Sequence, residues 1–409
     1  AGMQTTAVRD GDDFIINGEK RFITNGSVAD YMLLFAVTDT SVKPRRGMSA
    51  FIFETATEGF SVVKDYELMG LRGLKVAHLK LENCRVPASS MLGEENKGLK
   101  NMFIMMNSAR LDVGVQGIGI AERSFQRALA YAQERRQGRA PGVRSGRQVP
   151  IYEHPDVRRM LFTMKALIEA GRGICYANAV AYDLARTSPD EELRASASAL
   201  EGLLTPISKA WSTDRASEIT SLGVQVHGGM GSGEETGAAQ HMRDCRIAAI
   251  YEGTNGIQAM DLVGRKLQGD GGEAARNFIA DANALAETAA AHSDTMVANS
   301  AGALRDAAGA LAESTDWLLS RAAEDQDDVL AGAGPYLRQF GNVAGGFYLL
   351  RGTLSAIEAG DLAERDLDYR RTLLGFYADN ILAEAVGLTA AVTSGVATLA
   401  RLDPDAFGG

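Results

Sequence analysis

The chain has 409 residues, and at about 100–200 residues per domain two or three domains are expected. Hydrophobic residues make up 45% and charged residues 23%, a globular balance that excludes wholesale disorder. The net charge of -10, from 42 Lys+Arg against 52 Asp+Glu, argues against a dedicated nucleic-acid or anionic-membrane binder, which usually carries a basic excess.

The first ninety or so residues read as β structure. Asn17-Gly18, inside DGDDFIINGEKRFIT, is a strong hairpin dipeptide, and KRFIT runs as a strand into an Asn25-Gly26 turn. MSAFIFE and GFSVVKDY are strand-like. In AHLKLENCRVP the residues Ala77, Leu79 and Leu81 alternate with His78, Lys80 and Glu82, the period of two of a half-buried strand, and Pro87 closes it.

From about Gly98 the period changes to three and four. Leu111, Val115, Ile118, Glu122, Phe125 and Leu129 predict one face of a long helix. GRAPGVRSGRQVP, at 138–150, interrupts it as a loop. Helical patterns resume over 154–185, 191–222 and 255–267, with the glycine-rich GGMGSG between the last two. A Gly-Asp-Gly-Gly run at 269–272 reads as a linker, and the Ala-rich remainder predicts several antiparallel helices.

Cys84, Cys175 and Cys245 lie far apart and form no C-x-x-C, and the five histidines form no H-E-x-x-H, so neither a disulfide framework nor a structural metal is expected. The longest uncharged stretch near the C-terminus, 385–400, is shorter than the roughly 18–20 residues of a membrane span. A reducing, cytoplasmic setting follows. The chain opens at Ala1 without Met, so processing or a preceding segment is expected.

Glu252 follows the apolar run Ile247–Tyr251 and precedes Gly253. A carboxylate at the edge of a greasy element, on a sharply turning chain, is desolvated toward the neutral pKa that suits a general base. The bland alternative is a solvated residue ahead of a helix capped by Thr254 or Asn255, with Gln258 closing an Asn-x-x-Gln box. QVHGGMGSG allows backbone N–H groups to crowd a phosphate, but it lacks the preceding strand of a Rossmann fingerprint and the Gly-Lys-Ser/Thr of a P-loop, so a loop between helices is the better reading on its own. In KRFITNG an aromatic and a hydroxyl at a strand end suit a flat ring. Arg110 and Arg135 fall on the long helix, where solvated arginines are the default.

Taken together and in order, INGEKRFITNG, LMGLRGLKVAHLKLENCRVP, LGEENKGLKNM, ARLDVGVQGIGIAERSFQRALAYAQER, QVHGGMG and RDCRIAAIYEGTNGIQ resemble the acyl-CoA dehydrogenase family across residues 1 to about 267. GPYLRQFGNVAGGFYLL beyond them resembles the long, C-terminally extended branch of that family. The resemblance implies an α+β fold: a middle β-domain of two sheets over 1–95, a C-terminal four-helix bundle over 96–268, and an additional helical domain over 269–409. It also implies an N-terminal helical domain ahead of Ala1.

By matching position, the resemblance implies Glu252 as the base that removes the substrate α-proton while the β-hydrogen leaves as hydride to FAD. It implies Thr24 facing the flavin, with Phe22 beside the ring. Arg135, Gln225, Gly228 and Gly229 would serve the FAD of a neighbouring subunit, Tyr251 and Thr254 would touch FAD near the base, and Asn107 and Arg110 would lie near CoA. Two departures stand out. The loop after Arg135 is longer and more basic than the family's Phe-Gly step, and Leu74 replaces a common Ser near the thioester end of CoA. The implied partners are an acyl-CoA, an electron acceptor such as an electron-transferring flavoprotein, and a second copy in a homodimer or dimer of dimers. The branch implies a short or medium acyl chain such as 3-methylthiopropanoyl-CoA, in fatty-acid or dimethylsulfoniopropionate breakdown. An acyl-CoA oxidase on the same fold, or a non-catalytic flavin-binding interaction protein, are the alternatives. Flavin reoxidation in air separates the first, and flavin bleaching by acyl-CoA the second.

Overall fold

The computed structural model describes residues 2–140 and 142–407. Ala1, on which the expectation of a preceding segment turned, and Pro141 of the predicted loop lie outside them. Packing gathers the chain into two compact units, 1–109 and 110–409.

The first unit is built on seven strands: β1 (Thr6–Asp10), β2 (Asp13–Thr24), β3 (Tyr31–Val37), β4 (Met48–Glu54), β5 (Phe60–Asp65), β6 (Val76–Pro87) and β7 (Met91–Leu92), with a short helix α1 (Pro44–Gly47) before β4. They form one sheet in the order β5-β6-β2-β1-β3-β4-β7, where the resemblance implied two. The difference rests on a single parallel pair, Thr6 with Val37, which joins two otherwise antiparallel halves. The halves still share a core in which Phe14, Ile16, Leu81 and Cys84 meet Leu34, Ala36, Phe51 and Phe53. Ala77, Leu79 and Leu81 are buried on β6, as their alternation predicted.

The hairpin dipeptide is elsewhere than expected. The turn between β1 and β2 is the two-residue loop Gly11-Asp12, closed by the Asp10–Asp13 pair, with Gly11 at a φ of 62°. Asn17-Gly18 sits inside β2, where the register against β6 shifts. Asn17 there accepts from the Asn83 backbone N–H at 2.8 Å, so it braces an irregularity instead of turning the chain. Gly18 has a φ of 141°, and a Cβ on it would stand 2.7 Å from the Thr5 Cα. Gly18→Ala is therefore expected to destabilise the sheet by about 1–3 kcal/mol, read as a lowered denaturation midpoint; an unchanged midpoint would contradict the close approach.

The second unit is helical. Helix α2 spans Gly98–Glu134, and its residues from Arg110 onward belong to this unit. It is followed by α3 (Pro155–Thr187), α4 (Glu191–His227), α5 (Ala238–Arg246), α6 (Asn255–Asp261) and α7 (Leu267–Gly269), the last two joined by a π-helical stretch, Leu262–Lys266. The remaining helices are α8 (Glu273–Ala290), α9 (Thr295–Ala322), α10 (Gln326–Ala359), α11 (Glu364–Tyr377) and α12 (Ala383–Val392). One hydrophobic core runs through all of it, from Ile118 and Trp211 to Phe340 and Leu382. Within the 269–272 run the chain turns tightly, with Asp270 accepting from the backbone N–H groups of Gly272 and Ala274.

The period predicted for α2 is right and its phase is not. The buried stripe is Val113, Gly114, Gly117, Ile118, Ala121, Ser124, Ala128 and Ala132, while Val115 is exposed and Leu111, Phe125 and Leu129 only flank it. The reason is close approach to α4: a Cβ on Gly114 would stand 2.5 Å from the Ser208 carbonyl oxygen, and one on Gly223 2.2 Å from Ser124 Oγ. Small residues mark this seam because larger ones would hold the helices apart.

Candidate active site

The candidate base sits where the chain leaves α5. After Arg246 a 3-10 turn, Ile247–Ala249, leads to Tyr251 and Glu252. Glu252 has a φ of 55° and Gly253 a φ of 89°, two successive left-handed residues that reverse the chain before α6. For a residue with a Cβ this conformation costs roughly 1–2 kcal/mol and persists only where neighbours enforce it. Here they do. Thr254 caps α6 by accepting from the Ile257 N–H at 3.3 Å. The amide of the fully buried Gln258 reaches the Gly253 carbonyl at 3.4 Å. Thr254, not Asn255, is thus the N-cap, and Gln258 closes no box with Asn255.

Asn255 has another task. Its Nδ2 donates to the Ala210 carbonyl at 3.1 Å, to Thr213 Oγ1 at 2.9 Å and to Asp214 Oδ1 at 2.6 Å, and its Oδ1 accepts from Lys209 Nζ at 2.8 Å. The turn that carries Glu252 is thereby bolted to one turn of α4.

Several charged groups gather around Glu252. Arg110 is 8% exposed, and its Nη1 lies 3.6 Å from Asp261 Oδ2. Burial holds its guanidinium below the usual value, opposed by Asp261 and by Glu252. Its Nη2 would stand 3.7 Å from a Cβ built on Gly253, next to the base in sequence. Tyr251 donates to Gln116 Oε1 on α2, and burial raises the pKa of its phenol. Burial also raises the pKa of the Asp214 carboxyl from its ordinary value. The structure therefore brings Arg110, Tyr251, Glu252 and Thr254 together. Asn107 is half-buried on α2, one turn before Arg110. A cleft of about 460 Å³ opens beside Thr254, Asn255, Asp214 and Arg246.

Arg135 and the glycine loop form a second group. Arg135 lies one residue beyond the end of α2 and is exposed, as are Gln225, Gly228 and Gly229 at the end of α4. Tyr131 and His227, with ring centroids 4.6 Å apart, tie the two helix ends to each other. Gln225 is twelve residues along α4 from Thr213, roughly 18 Å from the Glu252 turn at 1.5 Å per residue. Within one chain these residues and Glu252 are separate.

In the sheet unit Phe22 has a φ of 57° and is 69% exposed, at the second register shift of β2. Its ring stacks on Tyr66 at 4.6 Å and 17°, and Thr24 is exposed at the strand end. A cleft of about 360 Å³ beside Tyr66 is lined also by Asp65, Glu67, Leu68, Arg72, Leu74 and Lys75, so the Leu74 departure falls on it.

A larger cleft, about 690 Å³, lies among α3, α4, α8 and α10 and contains none of the expected site residues. The perturbed charges of Arg110, Tyr251 and Asp214 gather instead near the Glu252 turn, which makes that turn the candidate site. Among the described residues no group of three or more His, Cys, Asp or Glu can hold a metal ion, and no helix is long and apolar enough to cross a membrane. Sequence reading missed Gln116, Lys209, Asp214 and Asp261. The one available signal was Lys209, a charge inside the apolar stretch LLTPISKAW.

Sequence comparison assigns this architecture. Residues 96–267 match the acyl-CoA dehydrogenase C-terminal domain, residues 1–84 the acyl-CoA dehydrogenase middle domain, and residues 274–403 the domain described as acetyl-CoA dehydrogenase C-terminal like. The chain belongs to the acyl-CoA dehydrogenase family. It is 41% identical over 369 residues to 3-methylmercaptopropionyl-CoA dehydrogenase of Ruegeria pomeroyi, covering 87% of this chain and 62% of that protein. It is 35% identical over 273 residues to the short-chain specific acyl-CoA dehydrogenase of Megasphaera elsdenii, covering 66% of this chain and 64% of that one. The chain thus spans less than two thirds of these relatives. Among solved structures, an acyl-CoA dehydrogenase complexed with FAD from Bacillus anthracis shares the fold over 100% of this chain and 68% of its own, with a TM-score of 0.78 at 24% identity. Butyryl-CoA dehydrogenase of Megasphaera elsdenii aligns over 64% of this chain and 63% of its own, with a TM-score of 0.54 at 34% identity.

Proposed function

We propose that the protein catalyses the α,β-dehydrogenation of an acyl-CoA thioester, with Glu252 as the base and FAD as the cofactor. The observation that carries this reading is the enforced left-handed turn at Glu252-Gly253, with the buried cations Arg110 and Lys209 in electrostatic reach of the carboxylate. FAD fits the residues present: the exposed Phe22–Tyr66 stack and the Thr24 hydroxyl suit a flat ring, and a Cβ built on Gly229 meets no atom within 4 Å, so phosphate oxygens can approach the backbone there. When bound, FAD supplies the acceptor for the hydride that leaves the β-carbon.

The protein's own residues do the rest. Glu252 takes the weakly acidic α-proton. The turn fixes the backbone from which the carboxylate reaches before substrate arrives, which lowers the entropic part of the barrier. Arg110 and Asn107 are assigned to CoA. Arg135, Gln225, Gly228 and Gly229 are assigned to the cofactor of a second copy, because they are exposed and remote from Glu252 of their own chain. The product is a trans-2-enoyl-CoA, and electrons pass on to an acceptor such as an electron-transferring flavoprotein.

The test is bleaching of the yellow protein by a panel of acyl-CoA thioesters with a dye acceptor. 3-Methylthiopropanoyl-CoA or another short or medium chain is expected to be fastest. A long straight chain turned over far faster than every short one would overturn the substrate assignment, and no bleaching by any thioester would overturn the function. Rapid flavin reoxidation in air would favour an oxidase. Alanine at Arg135 together with Gln225 is expected to release FAD; a stable, fully flavin-loaded monomer in sedimentation would contradict the shared-site assignment.

A further inference from the structure

Lys209 is 0% exposed, in the middle of α4, yet it carries an ammonium group. A buried charge is costly unless something uses it. Its Nζ, a group with three donors, donates to Asn255 Oδ1 at 2.8 Å. The charged groups facing it are Asp214 on its own helix, Arg110 on α2 and Glu252 on the turn before α6. Glu252 in turn interacts with Arg110, Lys209 and the Tyr251 phenol.

We propose that Lys209 is a positioning residue for Glu252: through Asn255 it clamps the turn that carries the carboxylate. This rests on the reading of Glu252 as the base. The clamp acts through geometry, because Asn255 opens α6 three residues after Glu252 and cannot move without that turn. Burial pulls the Lys209 ammonium down to about 8, so it stays mostly protonated at neutral pH and is lost under mildly alkaline conditions.

The experiment is hydrogen–deuterium exchange over residues 247–258, read by mass spectrometry, beside stopped-flow flavin bleaching. Lys209→Met keeps the length of the side chain and removes the donor toward Asn255. It is expected to speed exchange over that turn roughly threefold or more, with the rest of α4 unchanged, and to slow bleaching roughly tenfold. Asn255→Ala cuts the same clamp and is expected to do the same. Lys209→Gln, which keeps a donor toward Asn255, is expected to keep both near the parent values. If Lys209→Met merely lowers the thermal midpoint, with exchange over 247–258 and bleaching unchanged, Lys209 is a packing residue and the proposal falls. If no thioester bleaches the parent protein, it is the assignment of Glu252 as base that fails, while the exchange still decides whether Lys209 holds the turn.

Discussion

Glu252→Gln is expected to give a folded, yellow protein that binds acyl-CoA and bleaches its flavin at least about a hundredfold more slowly, since general-base catalysis is worth roughly 10²–10⁴-fold. The amide keeps the shape and most hydrogen bonds of the carboxylate but cannot accept the α-proton. Folding is preserved because the turn is held by Thr254, Asn255 and Gln258, none of which bonds to the Glu252 side chain. Glu252→Asp is expected to retain partial activity, since the carboxylate remains but is withdrawn by one methylene. Stopped-flow reduction at saturating acyl-CoA is the measurement. A near-parental rate for Glu252→Gln would place the base elsewhere and remove the centre of the functional assignment.

The largest expected loss of stability is at Trp211. Its ring is 1% exposed, its Nε1 donates to Asn342 Oδ1 at 2.9 Å, and the Arg215 guanidinium lies 5.6 Å from the ring. It fills the space between α4 and α10 at the point where α10 has a glycine: a Cβ on Gly341 would stand 2.1 Å from Trp211 Cδ1. Trp211→Ala is expected to cost about 3–5 kcal/mol and to lower the thermal midpoint of the helical unit by on the order of 10 °C. Gly341→Ala alone is expected to destabilise as well, because its methyl group meets the indole. With Trp211→Ala already present, the sign should reverse, since the space is then open and alanine is the better helix former by about 1 kcal/mol. Equal effects of Gly341→Ala in both backgrounds, followed by circular dichroism, would show that the ring and the glycine are not coupled.

Much of this protein was legible without coordinates. Alternation in AHLKLENCRVP placed β6, the three-four spacing placed the long helices, and the order of six short blocks identified the family. These signals are local: they depend on which residues lie two, three or four apart, and backbone geometry alone turns that into strand or helix. What only the tertiary structure decided was everything set by a neighbour distant in sequence. Asn17-Gly18 is a good hairpin dipeptide, yet Thr5 and Asn83 make it a strand irregularity, and the turn passes to Gly11-Asp12. The spacing of α2 predicted its period, but the approach of α4 chose the glycine and alanine stripe as the buried face. Thr254 and Asn255 both read as possible caps; Thr254 caps α6, whereas Asn255 is bonded to Ala210, Thr213, Asp214 and Lys209. A side chain's hydrogen-bonding capacity is written in its type, but its partner is fixed only when packing brings two distant segments within about 3 Å, and that choice cannot be read from either segment alone.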